Sequence, residues 1–315
     1  KAVDKYQDLL RVSVASPGND HRLGAHEAPP AIVSIFIGDD LQAVLDSIEN
    51  SCLYTQIDRQ EIKFGVHVLP RFFKDTSDRN RTSPFAFTGN KFEFRMVGSS
   101  QSIADPNTVI KTIVAEELSN FADILEKSEN FESDVLNLVR QTIIEHKRII
   151  FNGNNYSDEW VAEAERRGLL NLKSTVDAIP YLIAEKNVKL FTKHKVFSEA
   201  ELHSRYEILL ENYCKVINIE ALTLLDMARK EIIPAVTSYI RELSETALAK
   251  KQLIPDANCD VEKDLISRLS ALCSELYKKA EALNNTLSET KKFDNILDCA
   301  RYYKDTVLAT MQEIR

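Results

Sequence analysis

The sequence predicts an α+β fold, and three observations carry that prediction. Runs with strand character are confined to the first third of the chain. From about residue 107 onward the apolar residues recur with helical period. The change of texture near residue 110 sets the expected domains, 1–110 with the strands and 111–315 as a bundle-like helical region. A chain of 315 residues with 44% hydrophobic content is long enough to bury a real core in two domains.

The elements follow in order. KAVDKYQDLLRVSVAS (1–16) reads as the end of a helix or the start of a strand already in progress. With Lys1 in place of an initiator methionine, it leads us to expect a carboxy-terminal piece of something longer. AIVSIFIG (31–38), KFGVHVLP (63–70), FAFT (85–88) and KFEFRMVG (91–98) are β-branched or aromatic runs bounded by Gly, Pro, Asn or Asp, and read as strands. In the last, alternation puts Phe92, Phe94 and Met96 on one face and Lys91, Glu93 and Arg95 on the other. Leu41, Val44, Leu45 and Ile48 predict an amphipathic helix between the first two. Val135, Leu138, Val139, Ile143, Ile149 and Ile150 make a later stripe. Leu265, Leu269, Leu272, Leu276, Leu283 and Leu287 form a bundle seam whose one wider gap is filled by Lys279 or Ala280. SEAE (198–201) is a capping box, Pro234 should kink or break its helix, and PDANCD (255–260) is a turn.

Composition narrows the function classes. A net charge of −8 gives no global electrostatic case for nucleic acid or an anionic membrane. No stretch reaches the length of a membrane span, and no signal peptide is visible. The five cysteines are widely spaced without a metal or CxxC pattern, so they read as free thiols in a reducing cytoplasm.

Two stretches concentrate chemistry. NDHRLGAHEAPP (19–30) packs His21, Arg22, His26 and Glu27 beside two prolines. Zinc on His21 and His26 is disfavoured, because Gly24 and Pro29 oppose a regular helix and no third ligand is close. Arg22 can pair with Glu27 on the surface of a loop, or offer a two-pronged donor to a substrate carboxylate. In DRNRTSPFAFTGNKFEFRMVGSS (78–100), Arg79, Arg81, Lys91 and Arg95 place four cations within seventeen residues around one acid, Glu93. Such a patch suits a ligand with several negative oxygens. Glu93 is either a salt-bridge partner or a ligand for a divalent cation. The other acids sit mostly on polar helix faces, where a solvated surface is the expectation.

At these stretches the sequence resembles the glutamine synthetases, in particular the long type III form. The family's glutamate-binding loop reads Arg-Leu-x-x-Gly-x-Glu-Ala-Pro, and RLGAHEAP (22–29) is similar to it, one residue shorter. The family's Asn-Arg-x-x-x-x-Arg-x resembles NRTSPFAF (80–87), which matches the first arginine at Arg81 and shows Ala86 at the second. Its third block, Glu-x-Arg followed by a Pro-Asn step, resembles EFRMVGSSQSIADPN (93–107), with Glu93, Arg95 and Asn107 matching. FNGNNYSDEW (151–160) and SRYEILLENYCKVINIEA (204–221) also look like the type III branch, so the resemblance covers essentially the whole chain.

The resemblance implies a carboxy-terminal part of a catalytic β-sheet or barrel, followed by a long helical extension. It implies ligation of ammonia to L-glutamate through γ-glutamyl phosphate, with ATP and Mg²⁺ or Mn²⁺ as cofactors. Arg22 and Arg95 would hold substrate or phosphoryl oxygens, Arg81 (with Arg79 and Lys91) would neutralise phosphates, Glu93 would ligate the metal, and Glu27 would close over glutamate and help deprotonate ammonium. The partners implied are glutamate, ammonia, ATP and further copies of the chain in a ring such as a dodecamer. The family's remaining metal ligands and its nucleotide pocket lie upstream of the Arg-Leu block, so this chain is expected to be one wall of the site and incomplete alone. The competing reading is a non-catalytic helical assembly or regulatory module derived from a synthetase. Tyr156, Trp160 and Tyr206 read as core or interface anchors, and His146, His194 and His203 as structural.

Overall fold

The computed structural model describes residues 1–25, 27–54, 61–62, 72–73 and 82–315. Two compact units are present, Lys1–Tyr206 and Glu207–Arg315. The texture change near 110 is visible in the elements, since the last strand ends at Phe94 and an unbroken series of helices starts at Ala104. It is a change of secondary structure within the first compact unit.

The opening segment holds three short helices: α1 (Ala2–Lys5), α2 (Gln7–Val12) and α3 (Pro17–Arg22). Then come β1 (Ile35–Phe36), α4 (Gly38–Asn50), β2 (Glu61–Ile62), β3 (Phe72–Phe73), β4 (Phe85–Phe87) and β5 (Phe92–Phe94). The sheet that matters has the order β1-β4-β5, with β1 parallel to β4 and β4 antiparallel to β5. β2 and β3 form a separate antiparallel pair, and the expected strand 63–70 lies outside the described residues.

The run 31–38 yields strand only at Ile35 and Phe36, although Ala31, Ile32, Val33 and Ser34 are all buried. Its edge is bridged by later chain, with Ile32 against Asn171 and Ile35 against Ile150. Burial on all sides explains an apolar run without alternation. The β4–β5 hairpin turns at Gly89, whose φ of +96° favours glycine, and Thr88 N–H donates to the Lys91 carbonyl at 2.9 Å. As the alternation predicts, Phe92 and Phe94 pack against Phe85 and Phe87, with ring centroids 5.1–6.0 Å apart.

The rest of the first unit is α5 (Ala104–Leu125), α6 (Phe131–His146), α7 (Asp158–Arg166), α8 (Thr175–Ala178), α9 (Glu185–Lys193) and the start of α10 (Glu199–Met227). Local chemistry sets their starts. Ser157 caps α7 by accepting from Trp160 N–H, Ser174 and Asp177 form a capping box on α8, and Ser198 with Glu201 forms the predicted one on α10. Trp160 is buried, stacked on Phe151 with centroids 3.8 Å apart, and packs with Ile32, Ile149, Ala164 and Leu169.

Four acids of this unit depart from the solvated surface that the sequence predicts, while most of the others are exposed or half-buried. Asp4, Asp8, Asp20 and Glu117 are drawn into ion pairs, and Asp4, Asp8 and Glu117 are buried. Asp4 is paired with His146 at 2.7 Å and Arg148 at 2.8 Å, Asp8 with Lys186 at 2.9 Å, and Glu117 with Lys5 at 3.0 Å. Each pair joins helices far apart in sequence, which helical periodicity cannot show.

In the second unit, α10 passes through a π-turn at Ala228–Ile232 into α11 (Ile233–Leu253). Pro234 does not break the helix. Ile233 N–H donates to the Ala228 carbonyl five residues back, and this extra residue accommodates the proline ring and its missing donor. A turn at 255–256 leads to α12 (Asp260–Glu289), then α13 (Ile296–Tyr302), a second π-turn at Tyr303–Val307 and α14 (Leu308–Ile314). The seam of α12 uses Ala280, Leu283 and Leu287, all buried, so Ala280 fills the gap. Leu272, 61% exposed, falls off the seam, and Cys273 lies in its place, partly buried.

Candidate active site

The site starts from Ser16. Its hydroxyl accepts from Asn19 N–H at 3.2 Å and caps α3, while Pro17 at the first position presets φ. Asn19 is 2% exposed, and its amide donates to the carbonyls of Val14 at 2.8 Å and Met96 at 3.0 Å. Helix α3 is thereby tied to the chain leaving β5.

Arg22, in the last turn of α3, donates to Asn19 Oδ1 at 3.1 Å, the Met96 carbonyl at 3.2 Å and the Arg95 carbonyl at 3.3 Å. In place of a surface pair with Glu27, one of the two readings of Arg22, the side chain clamps the Asn19 side-chain oxygen and two backbone carbonyls. Beyond Arg22 the chain makes a closed loop. Gly24 adopts φ +81°, which favours glycine, and its N–H is shared between the carbonyls of Ala28 at 3.2 Å and Pro29 at 3.0 Å. Glu27 is exposed near the tip. Arg22, Glu27 and Arg95 line one cleft of about 480 Å³, with Ser83, Pro84 and Ser99 among the other lining residues.

Glu93 stands beside this cleft. Arg95 donates to its Oε2 from Nε at 3.2 Å and Nη2 at 3.1 Å, and Lys91 Nζ lies 3.6 Å from Oε1. The Arg95 hydrogen bond outweighs desolvation and, with Lys91, holds the Glu93 carboxyl below its ordinary value. In the β4–β5 register Glu93 lies opposite Ala86, which is 0% exposed. Directly opposed residues share a face, so the missing second arginine would have stood on Glu93's side of the sheet. There Arg95 and Lys91 supply the positive charge.

The structure thus brings Arg22, Glu27 and Arg95 together and attaches Glu93 through Arg95. Lys91 is exposed near the hairpin turn, and Asn107 is exposed in the first turn of α5. Arg79, Arg81 and His26 lie outside the described residues. Among the described residues no group of three or more His, Cys, Asp or Glu could hold a metal ion. His146 and His194 are engaged with Asp4 and Glu116, each at 2.7 Å.

Sequence reasoning missed two supports. Asp20 accepts from Arg11 at 2.7 Å, Thr175 N–H at 2.7 Å and Thr175 Oγ1 at 2.9 Å, which adds a second tie on α3 beside that of Asn19. Burial raises the Asp20 carboxyl, against the opposing pull of Arg11 and Thr175. The Asn-rich loop FNGNNY (151–156) is the second, and Tyr156 Oη donates to the Glu27 carbonyl at 3.4 Å. Its run of asparagines was the available signal.

Comparison with known proteins adds the family. Residues 134–251 match the family described as the glutamine synthetase C-terminal domain. Over that stretch the chain is similar to a glutamine synthetase C-terminal domain. It is 42% identical over 320 residues to a glutamine synthetase of Butyrivibrio fibrisolvens, covering 100% of this chain and 45% of that protein. It is 40% identical over 322 residues to a type-3 glutamine synthetase of Dictyostelium discoideum, covering 100% of this chain and 44% of that one. A glutamine synthetase of Bacteroides fragilis (strain YCH46) is 35% identical over 324 residues, with 99% and 44% covered. The chain therefore spans less than half the length of these synthetase relatives. Among the described residues no helix is long and apolar enough to cross a membrane.

Proposed function

We propose that this chain supplies one wall of a cytoplasmic glutamine synthetase site, in which ATP-dependent ligation of ammonia to L-glutamate passes through γ-glutamyl phosphate. The observation that carries the reading is the convergence of Arg22, Glu27 and Arg95 on one cleft. A guanidinium has five N–H donors, and Arg22 uses three on Asn19, Met96 and Arg95, which leaves two for a carboxylate or phosphoryl oxygen. Glu27, carried on a closed loop, shields a mixed anhydride from water and helps take a proton from ammonium. Arg81, Arg79 and Lys91 supply phosphate neutralisation in the same reading.

The described residues do not make a divalent-cation site by themselves, since Glu93 is a single carboxylate already held by Arg95 and Lys91. Glu93 is therefore read as one ligand of a Mg²⁺ or Mn²⁺ site completed by residues outside this chain. The three-stranded sheet is likewise read as the end of a larger catalytic sheet or barrel, and the assembly as a ring of copies such as a dodecamer. The second reading, a non-catalytic assembly or regulatory module, draws on the buried Ala86 where the family carries an arginine.

Glutamine formation from glutamate, ammonia and ATP separates the two. The chain alone is expected to be silent, and the chain joined to the upstream half of a type-3 relative active. In the joined enzyme Arg22→Ala should raise the KM for glutamate by about tenfold or more. Glu93→Gln should lower kcat about a hundredfold. A joined enzyme indifferent to both substitutions would overturn the catalytic reading.

A further inference from the structure

The tie between Tyr156 and Glu27 rests on a platform built for rigidity. Phe151 stacks on the buried Trp160, and a Cβ at Gly153 would lie 2.5 Å from the Phe151 ring, so the loop closes against that ring at a position without a side chain. Asn152 Oδ1 accepts from the N–H groups of Ile37 at 3.0 Å and Gly38 at 3.1 Å, and its amide donates to Gln42 Oε1 at 3.2 Å, which pins the loop to the start of α4. Asn155 is 0% exposed. With its amide oriented to satisfy its neighbours, it donates to the Thr82 carbonyl at 3.2 Å and accepts from Trp160 Nε1 at 3.3 Å and Ser34 Oγ at 2.8 Å. Thr82 immediately precedes Ser83 and Pro84 of the cleft. Tyr156 is fixed next, its N–H donating to Asn154 Oδ1 at 3.0 Å, and its ring stays 39% exposed.

The Glu27 loop has complementary properties. Its closing bonds, from Gly24 to Ala28 and Pro29, are at its base, and the Tyr156 hydroxyl meets the tip. We propose that Tyr156 is a positioning residue that latches the Glu27 loop over the Arg22–Arg95 cleft, so that the helical region sets how readily the loop closes on a dicarboxylate substrate. The assignment of substrate rests on the synthetase reading, and the latch itself does not. At 3.4 Å the bond is longer than an ordinary O–H···O contact, so the tie is a weak one. Tyr156 acts through the backbone of Glu27 and is not assigned a place among the groups that touch substrate.

Tyr156→Phe removes the hydroxyl and keeps the ring, so the platform under it should survive. In the 315-residue chain, hydrogen exchange of the amides of 24–28 should accelerate about two- to threefold, the scale of one weak hydrogen bond, while peptides from 207–315 are unchanged. In the enzyme completed with the upstream half of a type-3 relative, the KM for glutamate should rise about two- to threefold with kcat nearly constant. Unchanged loop exchange overturns the latch, as does a fall in kcat with KM constant. A completed wild-type enzyme that makes no glutamine overturns the synthetase reading, while the exchange experiment still decides whether Tyr156 holds the loop.

Discussion

Arg22 has a structural role beside the substrate contact proposed for it. Its position in the Arg-Leu block pointed to substrate, and the structure adds that it holds α3 against the Arg95 and Met96 carbonyls. For Glu93, the observed pairing with Arg95 and the proposed service as a metal ligand are alternatives open to a single carboxylate. The cysteines give a prediction at this scale. Burial, with Cys299 beside it, pushes the Cys214 thiol up to about 12, whereas Cys52 is exposed. Iodoacetamide at about pH 8, followed by mass spectrometry, should therefore modify Cys52 first and leave Cys214 intact until the chain unfolds. Equal labelling of the two in native buffer would contradict the burial of Cys214 in α10. The free thiols were legible from their spacing, but which of them is inert was not, because burial is set by helices that meet only in the fold.

Elements declared themselves wherever local chemistry decides them. The Ser198 box, the Gly89 turn and the amphipathic α4 all follow from neighbours within a few residues. Pro234 does not break its helix as the sequence led us to expect; a π-turn at Ala228–Ile232 precedes it and the helical path continues into α11. The placement of α3 was not legible, since it depends on Asp20 meeting Arg11 and Thr175. Asp20→Ala would leave Arg11 buried without its carboxylate, with Nη1 already lacking a partner. We expect a loss of about 3 kcal/mol in urea unfolding, with Asp20→Asn less damaging because it keeps an acceptor for Thr175. Equal stability of Asp20→Ala and the unsubstituted chain would show that α3 does not depend on this pair.

At the scale of the molecule, many acids are held as carboxylates by neighbouring cations. Arg166 and Arg167 together bring Glu163 down to about 2, and Glu93, Glu117 and Glu262 are also lowered. A carboxyl with a folded value below its unfolded one contributes stability that is present above the ordinary value and lost as pH falls through the folded value. Asp20, which is raised, works in the opposite direction and offsets part of that loss in acid. The urea midpoint should hold from about pH 7 to about 5 and then fall between about 4.5 and 2. A midpoint that rises on acidification in that window would mean that the burial of Asp20 dominates. The Glu117 pair with Lys5 joins α1 to α5, so acid should loosen that junction within the first compact unit.

By itself the sequence determined the α+β class, the Ser198 helix start, the hairpin, and the three ordered blocks that carry the family resemblance. All of these depend on residue type and short spacing, which a linear reading preserves. Only the tertiary structure decided that Arg22 clamps backbone carbonyls, that buried acids sit in ion pairs, and that Tyr156 reaches Glu27 across 129 residues. Those contacts join positions far apart along the chain, and their energies come from burial and geometry that exist only once distant segments have packed together.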